Sequence, residues 1–403
     1  MGKSPKACQK WCDELNDSHD LAIDVLGTAF TIRWGAAVSV GQRQAMARAW
    51  NRCEGTPPEI APSEYSVASD LPFTASLSFD SILPGENVRH LGSNTFEGLA
   101  EAVTSEVTIA AILERAGELT MLHACGVADR DGAVIALVAK SGTGKTTASS
   151  QLAQTFGYIT DETVAIRADG TVFPYPKPLS VKQASPGAAK LQVGPDELGL
   201  QAAPDNPRIR AIALLDRIAG GDYQLPIIEP VPLAQAVLAL IPDTSSQAAV
   251  LQPLQSLCRL IDSVGGVVRV SYSEAADLKD AVAPLFLTAP VHASEMTRQW
   301  LPALAEPAHD SGHPPEPLLT GWLRTAEAVD AVEIGEDLLV LTETELTKLS
   351  GIGPIIWQSA QSPVSMEALT ARIEAEHGLP EGYEAMLDAA VDGLISQGLL
   401  LRG

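Results

Sequence analysis

Apolar and polar positions alternate in recognisable periods along most of this chain. Residues 24–34 (DVLGTAFTIRW) are rich in β-branched and aromatic side chains and predict a strand. Ser39 opens a run of Ala, Gln and Arg that predicts a helix over 39–50, and 65–79 (YSVASDLPFTASLSF) suggests a strand pair. Residues 94–117 predict a long amphipathic helix, with Phe96, Leu99, Val103, Val107, Ala110, Ile112 and Leu113 on one stripe and Gly117 closing it. Two apolar strands then flank the turn Asp129-Arg130-Asp131-Gly132, and the second runs from Ala133 to Val138. A helix follows, ending near Gly157, and then a strand–turn–strand through Ala168-Asp169-Gly170. Residues 208–218 and 266–273 read as strands, and 231–242 and 252–265 as helices. Residues 302–320 form a Pro-rich linker. Beyond it, a hairpin around Gly335, a short strand near 345–349 and three helices are expected, with Leu369, Ile373, Met386, Val391, Leu394 and Ile395 in the core.

Bulk properties narrow the partners. With 403 residues the chain is long enough for two or three domains. A net charge of −23 argues against a nucleic-acid or anionic-membrane surface, which needs clustered Lys and Arg, and leaves small molecules or a neutral or basic peptide. No apolar run reaches the roughly 18 residues of a membrane span. The five cysteines are scattered, without a Cys-x-x-Cys, so reduced thiols are expected in place of a zinc site or a disulfide framework. The first twenty residues lack the apolar core of a signal peptide, and a cytoplasmic location is expected.

The strongest chemical signal is AKSGTGKTT, residues 139–147. It meets the Walker A pattern, with Ala139 in place of the first glycine, a strand leading in and a helix leading out. Such a loop wraps phosphates with backbone N–H groups at the positive end of a helix. Ser141, Gly142, Thr143, Gly144, Lys145, Thr146 and Thr147 are the expected nucleotide contacts, with Lys145 reaching the β- and γ-phosphates and the Thr146 hydroxyl ligating Mg²⁺. Ala139 is tolerable at the strand-to-loop junction if its φ is negative. Sixteen and seventeen residues after Lys145, the adjacent acids Asp161 and Glu162 close a strand, so that one can face a metal and the other an incoming hydroxyl. Lys177, Lys182 and Arg217 are candidates for neutralising phosphate charge, against a plain surface role.

His123 in LHACGVA, the loop AKSGTGKTT and the pair Asp161–Glu162 together resemble the HPr kinase family, and the loop is also like that of ATP-dependent phosphoenolpyruvate carboxykinases. The resemblance covers roughly residues 100–290. It implies an α/β (α+β) P-loop kinase core with a mixed sheet, ATP and Mg²⁺ as cofactors, Asp161 as general base, and Thr146, Asp161 and Glu162 around the metal. Lys145 and His123 are carried over as further catalytic residues. The Gly- and Arg-containing signature loop of the carrier-protein kinases is not found. That speaks against HPr as substrate and for relatives found beside peptide-modifying gene sets, which have text similar to PYPKPLS (174–180) after the acids.

Residues 326–402 resemble the PqqD family through Leu349, Gly353, Ile356 and Trp357 and the terminal Gly398-Leu399-Leu400. The resemblance implies a winged-helix-like domain that binds the leader segment of a ribosomally made precursor peptide as an added strand at about 345–349, facing a helix at about 383–395. The expected layout is a small α+β region (1–94), a nucleotide-binding core (95–300), a linker (301–320) and a peptide-recognition domain (321–403). The expected activity is ATP-dependent phosphorylation of a Ser or Thr hydroxyl on the captured peptide, with no nucleic-acid or membrane partner. The kinase relatives are often oligomers, so a homo-oligomer is admitted. A kinase of a free small molecule such as serine, and a non-catalytic nucleotide-bound scaffold delivering the peptide to other enzymes, stand as alternatives.

Overall fold

The computed structural model describes residues 20–58, 70–81, 87–140, 144–183, 187–218, 223–287, 300–304 and 317–403. In chain order these form β1 (Asp20–Val25), β2 (Thr28–Trp34), α1 (Val40–Ala49), β3 (Phe73–Phe79), β4 (Val88–Ser93), α2 (Phe96–Glu114), β5 (Thr120–Leu122), β6 (Ala124–Ala128), β7 (Ala133–Val138) and α3 (Lys145–Leu152). Next come β8 (Gly157–Thr160), β9 (Val164–Ile166), β10 (Val172–Phe173), β11 (Leu179–Val181), β12 (Leu191–Val193), β13 (Arg208–Arg217) and β14 (Ile227–Val231). They are followed by α4 (Leu233–Leu240), β15 (Thr244–Ser245), α5 (Pro253–Ser263), β16 (Val267–Tyr272) and α6 (Leu278–Leu287). The last elements are β17 (Trp300–Pro302), β18 (Leu323–Thr325), β19 (Asp330–Ile334), β20 (Asp337–Leu341), β21 (Leu346–Leu349), α7 (Gly353–Ser359), α8 (Met366–His377), α9 (Tyr383–Ser396) and β22 (Leu400–Arg402).

The chain folds as two compact units, and it crosses between them more than once. The first holds residues 1–231, 242–250 and 263–290; the second holds 232–241, 251–262 and 291–403. Helices α4 and most of α5 therefore belong with the C-terminal elements, although in sequence they lie inside the span expected for the nucleotide core.

Two hydrophobic cores stand out among the described residues of the first unit. One joins the antiparallel sheet β1-β2-β3-β4 to α1 and α2. The segment 24–34, expected as one strand, is a hairpin: Leu26 (φ 55°) and Gly27 (φ 82°) turn the chain in the left-handed region. Helix α1 starts as Ser39 predicts, with a reciprocal capping box between Ser39 and Gln42. Helix α2 buries Leu99, Val103, Val107 and Ala110, whereas Leu113 is exposed. Of the strand pair expected over 65–79, β3 is present and residues 65–69 lie outside the described part.

The other core is built on a six-stranded mixed sheet, ordered β14-β16-β13-β7-β6-β8. Strand β13 runs parallel to both β7 and β16, and the remaining neighbours are antiparallel. Its side chains pack against α3 and α6. A small sheet, β10-β9-β5-β15, completes the unit. The expected apolar strand through His123 is broken at that residue: β5 joins the small sheet and β6 the large one.

The second unit has an antiparallel sheet β17-β19-β20-β21, the pair β18-β22 and helices α7–α9 around one core. The hairpin around Gly335 and the third strand are as expected, and β21 is an edge strand. Leu369, Ile373, Val391 and Leu394 are buried and Ile395 packs against them. Met386 is not in the core: 59% of it is exposed. Its helical period places it one position off the buried stripe of α9, next to Leu387. Most of the linker, 305–316, lies outside the described residues. Among those residues no helix is long and apolar enough to cross a membrane.

Candidate active site

Three chain reversals in the first unit converge on one place. Strand β7 delivers Ala139, whose methyl lies in the core at 5% exposure and whose φ is not positive, so the residue in the first-glycine position is accommodated. Ser141, Gly142 and Thr143 lie outside the described residues. Gly144 has φ 101° and ψ 20°, a backbone state that glycine adopts freely, and it caps α3. The first intrahelical bond runs from Ala148 N–H to the Gly144 carbonyl. The N–H groups of Lys145, Thr146 and Thr147 therefore precede it, which is the arrangement that receives an anion. The Lys145 ammonium folds back and donates to the Ala139 carbonyl. Burial lowers the Lys145 pKa, while Asp243, Cys125, Glu162 and Asp161 pull it the other way. Thr146 is half-buried and Thr147 exposed.

The acidic pair follows β8. Asp161 is buried, and Glu162 keeps 36% of its side chain exposed. The Thr160 hydroxyl accepts from the Glu162 and Thr163 N–H groups and fixes the turn. Between the acids stands Lys177, itself 1% exposed, with Nζ 3.0 Å from Asp161 Oδ1 and 3.0 Å from Glu162 Oε2. A third donor direction reaches the Pro178 carbonyl at 3.2 Å, so all three N–H bonds of the ammonium have acceptors. Burial works against that charge, but Asp161 and then Glu162 overcome it and hold the amine above its usual range.

The lysine arrives there because of the strap Pro174–Pro178. Tyr175 N–H bonds the Ile159 carbonyl on β8 at 2.9 Å, and the Lys177 N–H closes a tight turn on the Tyr175 carbonyl. The Tyr175 hydroxyl pairs with Thr108 on α2 at 2.7 Å, which anchors the strap in the neighbouring core. On the other side, the Tyr158 hydroxyl donates to Asp161 Oδ1 at 3.1 Å and to the Lys177 carbonyl at 3.3 Å. Burial and then the Asp161 charge raise the Tyr158 pKa, so the phenol stays a donor. Among the described residues every partner of Asp161 meets Oδ1, and Oδ2 takes none.

His123 sits at the break between β5 and β6, half-buried, with its backbone N–H 2.6 Å from the Asp243 carbonyl. Burial and then Lys145 lower its pKa, against Glu162, Asp243 and a hydrogen bond to the Glu162 backbone. Burial thus favours the neutral imidazole.

His123, Lys145, Asp161 and Glu162, chosen from the sequence, thus lie within mutual electrostatic reach. Lys182 and Arg217 are exposed, and Arg217 donates to the Ser273 carbonyl. Tyr158 and Asp243 were not anticipated. Tyr158, three residues before Asp161, carried a faint signal, because a strand residue at that offset can face the same end of the sheet. Asp243 carried none, since it returns to this unit after the excursion through α4.

Comparison with known proteins adds little. No family model and no curated protein matches this chain. One similar solved structure is the HPr(Ser) kinase/phosphatase from Coxiella burnetii: the likeness covers 41% of this chain and 92% of that one, at 13% identity and a TM-score of 0.21. A score at that level carries no argument, and the functional reading rests on the site.

Proposed function

We propose that this chain is an ATP-dependent kinase that phosphorylates a Ser or Thr hydroxyl of a precursor peptide held by the second unit. The observation that carries the reading is the meeting of Lys145, at the start of α3, with the Asp161–Glu162 pair at the end of β8, beside His123. The helix N-terminus and Lys145 would hold the phosphates. The acceptor oxygen bonds the γ-phosphorus, the bond from that phosphorus to the β,γ-bridging oxygen breaks, ADP leaves, and the hydroxyl proton passes to Asp161 Oδ2. Positioning and charge neutralisation carry most of such a reaction.

Oxygen donors suit Mg²⁺, which takes one or two carboxylates plus phosphate oxygens in place of an all-protein cage. Thr146 and a carboxylate of the acidic pair would hold the ion, and it would neutralise charge on the transferring phosphoryl group. The midpoint between Asp161 Oδ1 and Glu162 Oε2 belongs to Lys177.

The peptide assignment is supported in the second unit by the open edge of β21 and a cleft of about 660 Å³ beside α7 and α9. The cleft exposes Ile352, Pro354 and Met386 and is rimmed by Glu333, Glu336 and Asp337; Asp337 is salt-bridged to Lys348 on the edge strand at 2.7 Å. An extended segment paired to that edge has apolar pockets within reach. Residues 317–403 carry fourteen carboxylates against four Lys and Arg, which suits a neutral or basic peptide.

The test is transfer from γ-labelled ATP with Mg²⁺ to candidate precursor peptides. Asp161→Asn is expected to lower the transfer rate by about 10²–10⁴-fold, the usual worth of a general base. Met386→Glu, on an already exposed position, is expected to raise the peptide KM and leave ATP binding alone. Label on free serine would favour the small-molecule kinase, and ATP binding without any transfer would favour the scaffold.

A further inference from the structure

We infer that Lys177 is a positioning residue of the transfer site, a fixed internal cation that sets the orientation of the acidic pair. The inference rests on the kinase reading above. It deepens that reading by assigning the two lysines different tasks.

The geometry separates them. Lys145 stands on the first turn of α3, and among the described residues its ammonium donates to the Ala139 carbonyl at the end of β7 alone. A phosphate oxygen can replace that single neutral acceptor without leaving a charge unpaired. Lys177 is at 1% exposure, and its three donor directions end on Asp161 Oδ1, Glu162 Oε2 and the Pro178 carbonyl. It has no direction left for a nucleotide, and withdrawing it would leave Asp161 buried and unpaired. Its backbone is held as firmly. Pro174, Pro176 and Pro178 restrict the strap, Tyr175 ties it to β8 and α2, and Tyr158 takes the Lys177 carbonyl.

The consequence for the acids is specific. Lys177 and Tyr158 both occupy Oδ1 of Asp161, so the carboxylate plane is set and Oδ2 is left without a partner among the described residues, open to accept a proton. The same ammonium takes one oxygen of Glu162, a side chain that keeps 36% of its surface exposed. A side chain that only neutralised phosphate would touch the donor; this one touches the groups that orient the acceptor.

The experiment measures MgATP affinity by calorimetry, and kcat with a mixed pool of Ser- and Thr-containing peptides as acceptor. Lys177→Met is expected to keep ATP affinity within about threefold and to lower kcat by roughly 10²-fold, the loss that follows a misplacement of about 1 Å at a reacting group. Lys177→Arg, which restores the charge, is expected to recover at least part of that loss. Lys145→Met is expected to do the reverse, weakening ATP binding first. Lys177→Met with unchanged kcat, or with ATP affinity lost in step with kcat, overturns the inference. If Lys177→Met does not fold by circular dichroism, Tyr158→Phe decides: it removes the other donor to Oδ1 and is expected to lower kcat several-fold at constant ATP affinity. A Tyr158→Phe enzyme with full kcat would then mean that Lys177 serves the fold alone. Wild-type protein that binds no ATP, or binds it and transfers nothing, overturns the kinase reading and this inference with it. An active wild type with an indifferent Lys177→Met removes this inference only.

Discussion

Helix α5 depends on a carboxylate that comes from another part of the second unit, and removing that carboxylate should loosen the helix locally. Asp330, at the start of β19, is 2% exposed. Its Oδ2 accepts from the N–H groups of Leu254 and Gln255 at 2.9 and 3.0 Å, and its Oδ1 accepts from the Gln255 side chain at 2.9 Å. Pro253 opens the helix and has no N–H to satisfy, so Leu254 and Gln255 are the donors most in need of a partner. Hydrogen bonds to a charged acceptor are worth about 1.5–3 kcal/mol each, and three that share one carboxylate do not add. The nearer guide is the ~3–5 kcal/mol lost when one partner of a buried charged contact is deleted. Asp330→Ala should therefore reduce amide-exchange protection over 254–262 by at least roughly a hundredfold, at about 1.4 kcal/mol per factor of ten. Asp330→Asn keeps one acceptor oxygen and should fall between the two. Hydrogen exchange followed by mass spectrometry reads both. Protection of the α5 amides in Asp330→Ala within threefold of the wild type would refute the capping argument. The same contact advises against testing the second unit by deleting residues 321–403, which would strip Asp330 from α5.

Two further predictions concern the candidate site. Gly144→Ala adds a methyl whose nearest neighbour among the described residues, the flanking chain aside, is the Tyr272 hydroxyl at 4.0 Å, so the cost expected is that of the backbone. With φ at 101°, a loss of about 1–3 kcal/mol is expected in urea unfolding of the first unit, and an unchanged midpoint would contradict the strained junction. His123 has a folded-state pKa below its ordinary 6.5, through burial and then Lys145. The unfolded chain thus binds the proton more readily. The stability from the neutral ring is fully present above pH 6.5 and is lost as pH falls below that value, until the folded-state pKa is passed. A His123→Gln variant should have a flatter stability–pH curve over that window, and an unaltered slope would count against the buried neutral imidazole.

Much of the fold can be read along the chain because its cause is local. The Ser39–Gln42 capping box, the β6–β7 hairpin over Asp129–Gly132, and the hairpin at Gly335 all depend on side chains or turns within a few residues. The 139–147 motif and the acidic pair are legible for the same reason: the strands and the helix next to them follow one another along the chain. Leu26-Gly27 shows the limit, because one apolar run of eleven residues hid a turn that only strand pairing with β1 and β2 reveals.

By itself, then, the sequence determined many of the longer elements, the Lys145 loop and the Asp161–Glu162 pair, each through short-range periodicity, capping and spacing. Tertiary structure alone decided what stands against them. Lys177 lies sixteen residues beyond Asp161, and it reaches the acids only because the Pro174–Pro178 strap is pinned to β8 and α2. Asp243 returns to His123 only after the chain has visited the second unit. Asp330 finds α5 across more than seventy residues, and Met386 is exposed although its neighbour Leu387 is buried. Such pairings are set by sheet order and by which helix face meets a core, and a one-dimensional pattern carries no register for them.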